Sequence, residues 1–413
     1  MIFFVWLVLI SNQLLASGIE IKGLRTYSIK NEIYPPIIIY NDLNENGIED
    51  TTNDHIVIEF DIVSVLKPNL QINFQLCDKN WEPVDNIFLK NFGKDKFYNL
   101  QFTSAAFGVK TYNYTFKQTF PDERNQITFP FSGKYRYLIT EFNNENKIYG
   151  IGYFIVVYQE FRTLTNFFKE VIDDTLYELM DFNRRHRIQV DVYIPKGYDA
   201  GRQNEIEIIQ NQKFFNSYFI KFDTRSKYQY SQYRGINIKR YIKRNIFPVN
   251  EYRQLNLMDY NKYPNDKLLT SFDGIDVSRK FYFDGNDFNG GTKYYQNRDI
   301  YNEYLNYKFE LIFPNSGLSV YIVGSFNNWK IEEKYKMNKV DNYYSLILQL
   351  KRGIYDYQYV TRRNDDNDDQ INWMDVEGNH WNTRNKYYII VYYKDPALND
   401  YEKIVAISEI ESI

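Results

Sequence analysis

The sequence predicts an all-β protein built of tandem immunoglobulin-like or early-set β-sandwich domains. Three observations carry this. Apolar and polar residues alternate with period two along much of the chain, turn residues interrupt the alternation at short intervals, and the composition is tilted to aromatic strand formers, 40 Tyr and 31 Phe in 413 residues. An apolar fraction of 44% excludes wholesale disorder, and a chain this long holds two or three ordinary domains.

From the N-terminus, Ile2 to Ile10 is an apolar run of secretory length, followed by Ser11-Asn12-Gln13 and by the small residues of Leu15-Ala16-Ser17-Gly18. Residues 1–17 therefore read as a signal peptide, with a buried N-terminal strand as the alternative, since no Lys or Arg precedes the run. The run is too short for a membrane helix, and no later segment approaches ~18 uninterrupted apolar residues, so the processed chain is expected to be soluble or peripheral.

In His55-Ile56-Val57-Ile58-Glu59-Phe60-Asp61-Ile62 the apolar residues share one face, which predicts a strand with one wet side. Similar runs occur at 134–139, 188–194, 205–210, 308–313, 318–323, 343–350, 354–360 and 387–393, separated by turn signals such as Ser132-Gly133, Lys196-Gly197, Asn315-Ser316-Gly317 and Arg352-Gly353. Short strands with frequent turns point to sandwiches rather than βαβ units. Leu164 to Phe182 has helical spacing, through Leu164, Phe168, Val171, Leu176, Leu179 and Phe182, and reads as a helix or as a connector with one strand. Asp173-Asp174 and the basic run Arg184 to Arg187 mark a domain boundary there. The expected division is a first sandwich over 18–158, a middle β domain over 159–305, a C-terminal early-set-like sandwich over 306–395 and a tail over 396–413. The acidic run Asn364 to Asp369 reads as a solvated loop.

The balance of 50 basic and 53 acidic residues leaves a net charge of -3, which gives no field to draw nucleic acid or anionic lipid. His55, His186 and His380 lie far apart in sequence, and there is no HExxH, nucleophile elbow, phosphate-cradling loop or dinucleotide fingerprint. No catalytic residue and no cofactor is predicted. Cys77 alternates into a strand and reads as a structural thiol. Asp42, Asn44 and Asn46, with Gly47, copy the opening of a calcium loop, but Asn53 stands where a bidentate Glu belongs, and an Asn/Gly-rich hairpin turn explains the segment more simply. The strand-to-turn sequence Val320 to Trp329, with Leu350 to Tyr359, resembles the early-set sandwich of starch- and glycogen-binding modules. Trp329 has two readings, a sugar-stacking platform assisted by Phe326 and Asn328 or a cap on the sandwich core, and the second is the commoner use of such a residue.

Read in order, the landmarks resemble the plug protein family of the Bacteroidetes type IX secretion system. Tyr34-Pro35-Pro36-Ile37 is similar to that family's Tyr-Pro-apolar strand, and Leu76-Cys77-Asp78-Lys79-Asn80-Trp81 to its Cys-Asp-x-x-Trp signature. Phe131 to Leu138 is similar to a Ser-Gly-x-Tyr strand start and Gln210 to Phe214 to a Gln-Asn-x-aromatic motif. Val249 to Asn256 resembles Gly-Asn-Glu-Phe-Arg-x-Phe-Asp with Val249 in place of Gly, and Glu377 to Thr383 leads into Val391-Tyr392-Tyr393. The resemblance implies a non-enzymatic protein on the periplasmic, inner face of the outer membrane that closes the translocon β-barrel when no cargo is engaged. Tyr-rich loops are the expected contact elements. The alternative from a different class is an envelope polysaccharide-binding protein.

Overall fold

The computed structural model describes residues 18–41, 53–171, 184–223, 225–265, 267–281, 283, 285–314, 317–363 and 371–412. The expected signal peptide, the candidate calcium residues Asp42, Asn44 and Asn46, and the acidic run 364–369 lie outside them. The described residues form six sheets, paired face to face as three β-sandwiches. The alternating runs all lie in strands to within a residue at either end. Among the described residues no helix is long and apolar enough to cross a membrane.

The first sandwich packs the sheet of Glu20–Ser28, Ile56–Val63, Tyr114–Phe120 and Thr103–Ser104 on that of Ile37–Tyr40, Asn144–Tyr158, Gly133–Glu141, Leu70–Cys77 and Lys96–Phe97. Ile56, Ile58, Phe60 and Ile62 enter its core, as their alternation requires. The other face of that strand is not wet: Glu59 and Asp61 are buried, because the third sandwich covers them.

The middle sandwich draws from two distant parts of the chain. One sheet is Arg162–Glu170, Arg185–Tyr193, Ile238–Ile246 and Gln229–Gly235, and the other is Tyr218–Lys221, Glu205–Gln210, Lys386–Asp395 and Tyr401–Glu411. The third sandwich in turn takes Arg253–Asn256 on one side of Gly353–Arg363, with Thr292–Tyr294 and Leu318–Gly324 on the other, and packs them on the sheet of Tyr304–Ile312 and Tyr343–Lys351. The expected boundaries at 305 and 395 therefore cut across sheets, and the expected tail is a strand in register with Lys386–Asp395. Of the segment with helical spacing, Arg162–Glu170 is a strand paired along its length with Arg185–Tyr193, and 172–183 lies outside the described residues.

Strand Lys386–Asp395 shows why the C-terminus returns. Tyr387, Ile389, Val391 and Tyr393 fill the middle sandwich, while Tyr388, Ile390 and Tyr392 pack with Ile37, Trp81, Ile155 and Val157 of the first. A continuous apolar run is satisfied only where both faces of its strand are covered. Each fully buried side chain of that size contributes on the order of 1.5–3 kcal/mol, so this second face is a large part of what holds the two sandwiches together. The same interface buries Lys134 against Glu207 at 2.9 Å. Trp81 also lies there, its indole N–H donating to the Phe214 carbonyl at 3.3 Å. The Cys-Asp-x-x-Trp run is thus part of an inter-domain joint, and Cys77 is a buried free thiol within it.

Candidate functional site

Several of the sequence motifs converge where the middle and third sandwiches meet. Asn211, left-handed at the end of Glu205–Gln210, donates to the Tyr252 hydroxyl (3.0 Å) and to the Asn385 side-chain carbonyl (2.9 Å), and accepts from the Lys386 amide (2.8 Å). The Val249 amide donates to Asn379 Oδ1 (3.0 Å), the Val249 carbonyl accepts from the Thr383 hydroxyl (2.9 Å), and Asn250 Nδ2 donates to the Glu377 carbonyl (3.1 Å). Val249 sits at φ 63, a left-handed conformation costly for a β-branched residue and free for the glycine of the motif it resembles.

At the centre lies the buried Glu377 carboxylate, which accepts from Arg253 Nε (3.0 and 3.1 Å), Arg279 Nε (3.1 Å) and the Tyr359 amide (3.0 Å). Burial works against its charge, but the two guanidiniums and these donors prevail and hold its pKa below the ordinary carboxylate value. A neighbouring carboxyl cluster behaves oppositely. Burial, then the nearby Asp287 carboxyl, push both Glu251 and Asp356 up to about 8, and burial raises Asp287 as well. These groups tether the 287–290 loop: Asp356 accepts from the Phe288 and Gly290 amides (2.8 and 2.9 Å), and Asp287 from the Tyr252 amide at 2.5 Å.

That loop determines the environment of Trp329. The indole N–H donates to the Gly290 carbonyl (3.0 Å), the ring lies 4.2 Å from Tyr252, and the residue is 3% exposed. Gly290 is left-handed, and a Cβ there would come within 3.0 Å of the indole nitrogen. The sugar-platform reading of Trp329 is therefore corrected: the ring caps a small cluster with Val323 and Val360, leaving no face for a pyranose. Phe326 is half-buried against Phe309, Tyr335 and Tyr355, and Asn328 is exposed on a left-handed turn. The three candidates do not form a binding surface together.

Beside this joint is a cleft of about 700 Å³, whose lining includes Lys213, Tyr218, Phe247, Thr361, Arg363 and Trp373. Its size is that of a small-ligand site. Lys213 follows the Asn211 turn, and its ammonium lies 4.1 Å from the centre of the Trp373 ring and 5.3 Å from that of Tyr252. Trp373 is half-buried, so part of its ring is open to the cleft. Sequence reasoning passed over both residues. Lys213 stood inside the quoted Gln210 to Phe214 run, and Trp373 lies four residues past the acidic run, in a chain where aromatic residues are too common for one to stand out.

The histidines remain apart. Buried His186 donates from Nε2 to the Trp381 carbonyl (3.0 Å), which fixes the neutral tautomer, so Nδ1 accepts from the Tyr387 hydroxyl (2.8 Å); burial draws its pKa down to about 4. His380 stacks on Phe283, and His55 sits beside Asp54. Among the described residues no three His, Cys, Asp or Glu side chains are placed to hold a metal ion.

A hypothetical protein from Parabacteroides merdae superposes with a TM-score of 0.76 at 19% identity, covering 95% of this chain and 97% of that one. The chain has that protein's fold. A biofilm-associated protein domain, 8% identical over 95% of this chain and 59% of its own, reaches a TM-score of 0.17, too low to carry any argument. Residues 307–387 match the family model described as the glycogen recognition site of AMP-activated protein kinase, which covers most of the third sandwich. No curated protein matches the chain. At this level the chain is an all-β protein of tandem sandwiches whose third unit is similar to a carbohydrate-binding module.

Proposed function

We propose that this chain is a plug and interaction protein of a type IX translocon, peripheral to the inner face of the outer membrane, closing the barrel from the periplasmic side. One observation carries the reading. Motif residues that resemble the plug family while scattered from Asn211 to Thr383 meet in one buried hydrogen-bonded knot, so the matches are one structural feature rather than several coincidences. A plug must resist deformation, and here every pair of sandwiches is fastened: first to middle through Lys134–Glu207, first to third through Lys351–Asp61, and middle to third through Asn211–Tyr252. Tyrosines serve mainly inside, as in Tyr387 and Tyr359, so the contact elements fall instead to exposed loop residues of the first sandwich, Phe88, Phe92 and Phe107. An affinity-tagged copy, extracted in mild detergent from the outer-membrane fraction of its own host, should retain one very large β-barrel protein. Recovery as a free monomer, with secretion unaffected by deletion, refutes the reading.

A second reading, polysaccharide binding by the third sandwich, is favoured by the family match over 307–387 and by the Trp373 cleft. In it Trp373, not Trp329, is the stacking surface. Titration with a glycan panel should change Trp emission in the Trp329→Phe variant as in the parent, and not in Trp373→Ala.

A further inference from the structure

The cleft beside Trp373 contains a buried ammonium with no hydrogen-bonded counter-charge among the described residues; Asp287 and Glu377 act on it only from a distance. Lys213 is 3% exposed, yet among the described residues no carboxylate or carbonyl accepts a hydrogen bond from its ammonium, which is packed among Trp373, Tyr252 and Trp329. Other buried lysines of this protein each have a hydrogen-bond partner: Lys134 has Glu207 at 2.9 Å, Lys351 has Asp61 at 2.7 Å, and Lys239 has the Gln203 carbonyl. A buried ammonium with no hydrogen-bond acceptor is expensive to keep, and at the wall of an open cleft it is placed to receive an oxyanion from a ligand. Arg363 also lines the cleft, against one carboxylate, Asp375, whose Oδ2 already accepts from the Thr361 hydroxyl at 2.5 Å. Among the described lining residues two cations face one carboxylate, which favours an anion. Its remaining wall includes the half-buried Trp373, Tyr218 and Phe247 together with Asn216, Gln210 and Asn372, a pairing of flat apolar faces and small polar groups that suits a sugar ring.

We infer that this cleft binds an acidic saccharide, its ring stacked on Trp373 and its carboxylate or phosphate held between Lys213 and Arg363. The inference rests on the polysaccharide reading and narrows it to anionic sugars. Burial among the rings draws the Lys213 pKa down to about 7, and a bound oxyanion would restore the full charge.

The test is calorimetric titration of the full chain, at fixed ionic strength, with oligogalacturonate, maltoheptaose and inorganic phosphate. Oligogalacturonate should bind roughly tenfold or more tightly than maltoheptaose, as expected when a charged hydrogen bond is gained. Lys213→Met should erase that advantage while leaving weak maltoheptaose binding in place, and Arg363→Gln, at an exposed position that does not endanger folding, should reduce it severalfold. Trp373→Ala should weaken both saccharides. Equal affinities for the acidic and neutral oligomers, no effect of either cation variant, or phosphate binding as tightly as oligogalacturonate would overturn the inference while leaving neutral-glycan binding possible. Binding of neither oligomer would remove the polysaccharide reading with it.

Discussion

Replacing Asp61 by Asn tests whether the first and third sandwiches stand together as one body. Asp61 is 1% exposed on strand Ile56–Val63, and Lys351 ends a strand of the third sandwich 290 residues further on. Asp61 Oδ2 accepts from Lys351 Nζ (2.7 Å) and from the Tyr304 hydroxyl (2.9 Å), and Oδ1 from the Thr115 hydroxyl (2.6 Å). Asn preserves shape but leaves a buried ammonium uncompensated, a loss of about 3–5 kcal/mol. Lys351→Met strands the carboxylate instead, and protonation relieves part of a similar cost. With both changes neither charge is stranded, so the double variant should be more stable than the sum of the single losses implies, by about 2 kcal/mol or more. Urea unfolding followed by Trp emission and far-ultraviolet circular dichroism measures all four proteins. Additive losses, a loss in Asp61→Asn below about 1 kcal/mol, or a separate early transition of the first sandwich would refute the coupling argued from the geometry.

Three other outcomes follow from the same structure. Val249→Gly removes a buried side chain, costing about 1.5–2 kcal/mol, but relieves about 1–2 kcal/mol of left-handed strain, so its unfolding free energy should fall within about 1 kcal/mol of the parent's; a loss above 3 kcal/mol would contradict that account. The folded His186 pKa, about 4, lies below an unfolded value of ~6.5, so its contribution to stability is complete above pH 6.5 and is lost as pH falls towards 4, by up to roughly 3 kcal/mol. The stability gap between parent and His186→Gln should narrow by that amount between pH 7.5 and 4, and a constant gap would refute the buried neutral imidazole. Burial pushes the Cys77 thiol up to about 12, so iodoacetamide at pH 8 should label it only after unfolding in urea; rapid labelling of the folded protein would show the thiol to be accessible.

Strand positions were legible because alternation is a local property: Ile56, Ile58, Phe60 and Ile62 declare a buried face whatever covers the other one. What covers it was not legible. Glu59 and Asp61 read as solvent-facing because charged residues on a strand usually are, but Glu59 pairs with Arg25 of the neighbouring strand and Asp61 with Lys351 of the third sandwich, which covers that face. Leu164 to Phe182 was ambiguous for a related reason, since a strand with both faces partly covered loses its period-two signature, and Arg162–Glu170 is such a strand.

The amino-acid sequence by itself determined the class of fold, the turns, the buried thiol and the separation of the histidines, all of which depend on residues near one another in the chain. Sheet membership and the site belong to the tertiary structure. Lys386–Asp395 joins the middle sandwich because both of its faces need cover, and Trp329 is closed off by a carbonyl supplied from Gly290. Lys213, Arg363 and Trp373 share a cleft only because that returning strand draws the middle and third sandwiches together. Periodicity records which residues need burial, and long-range pairing decides what buries them.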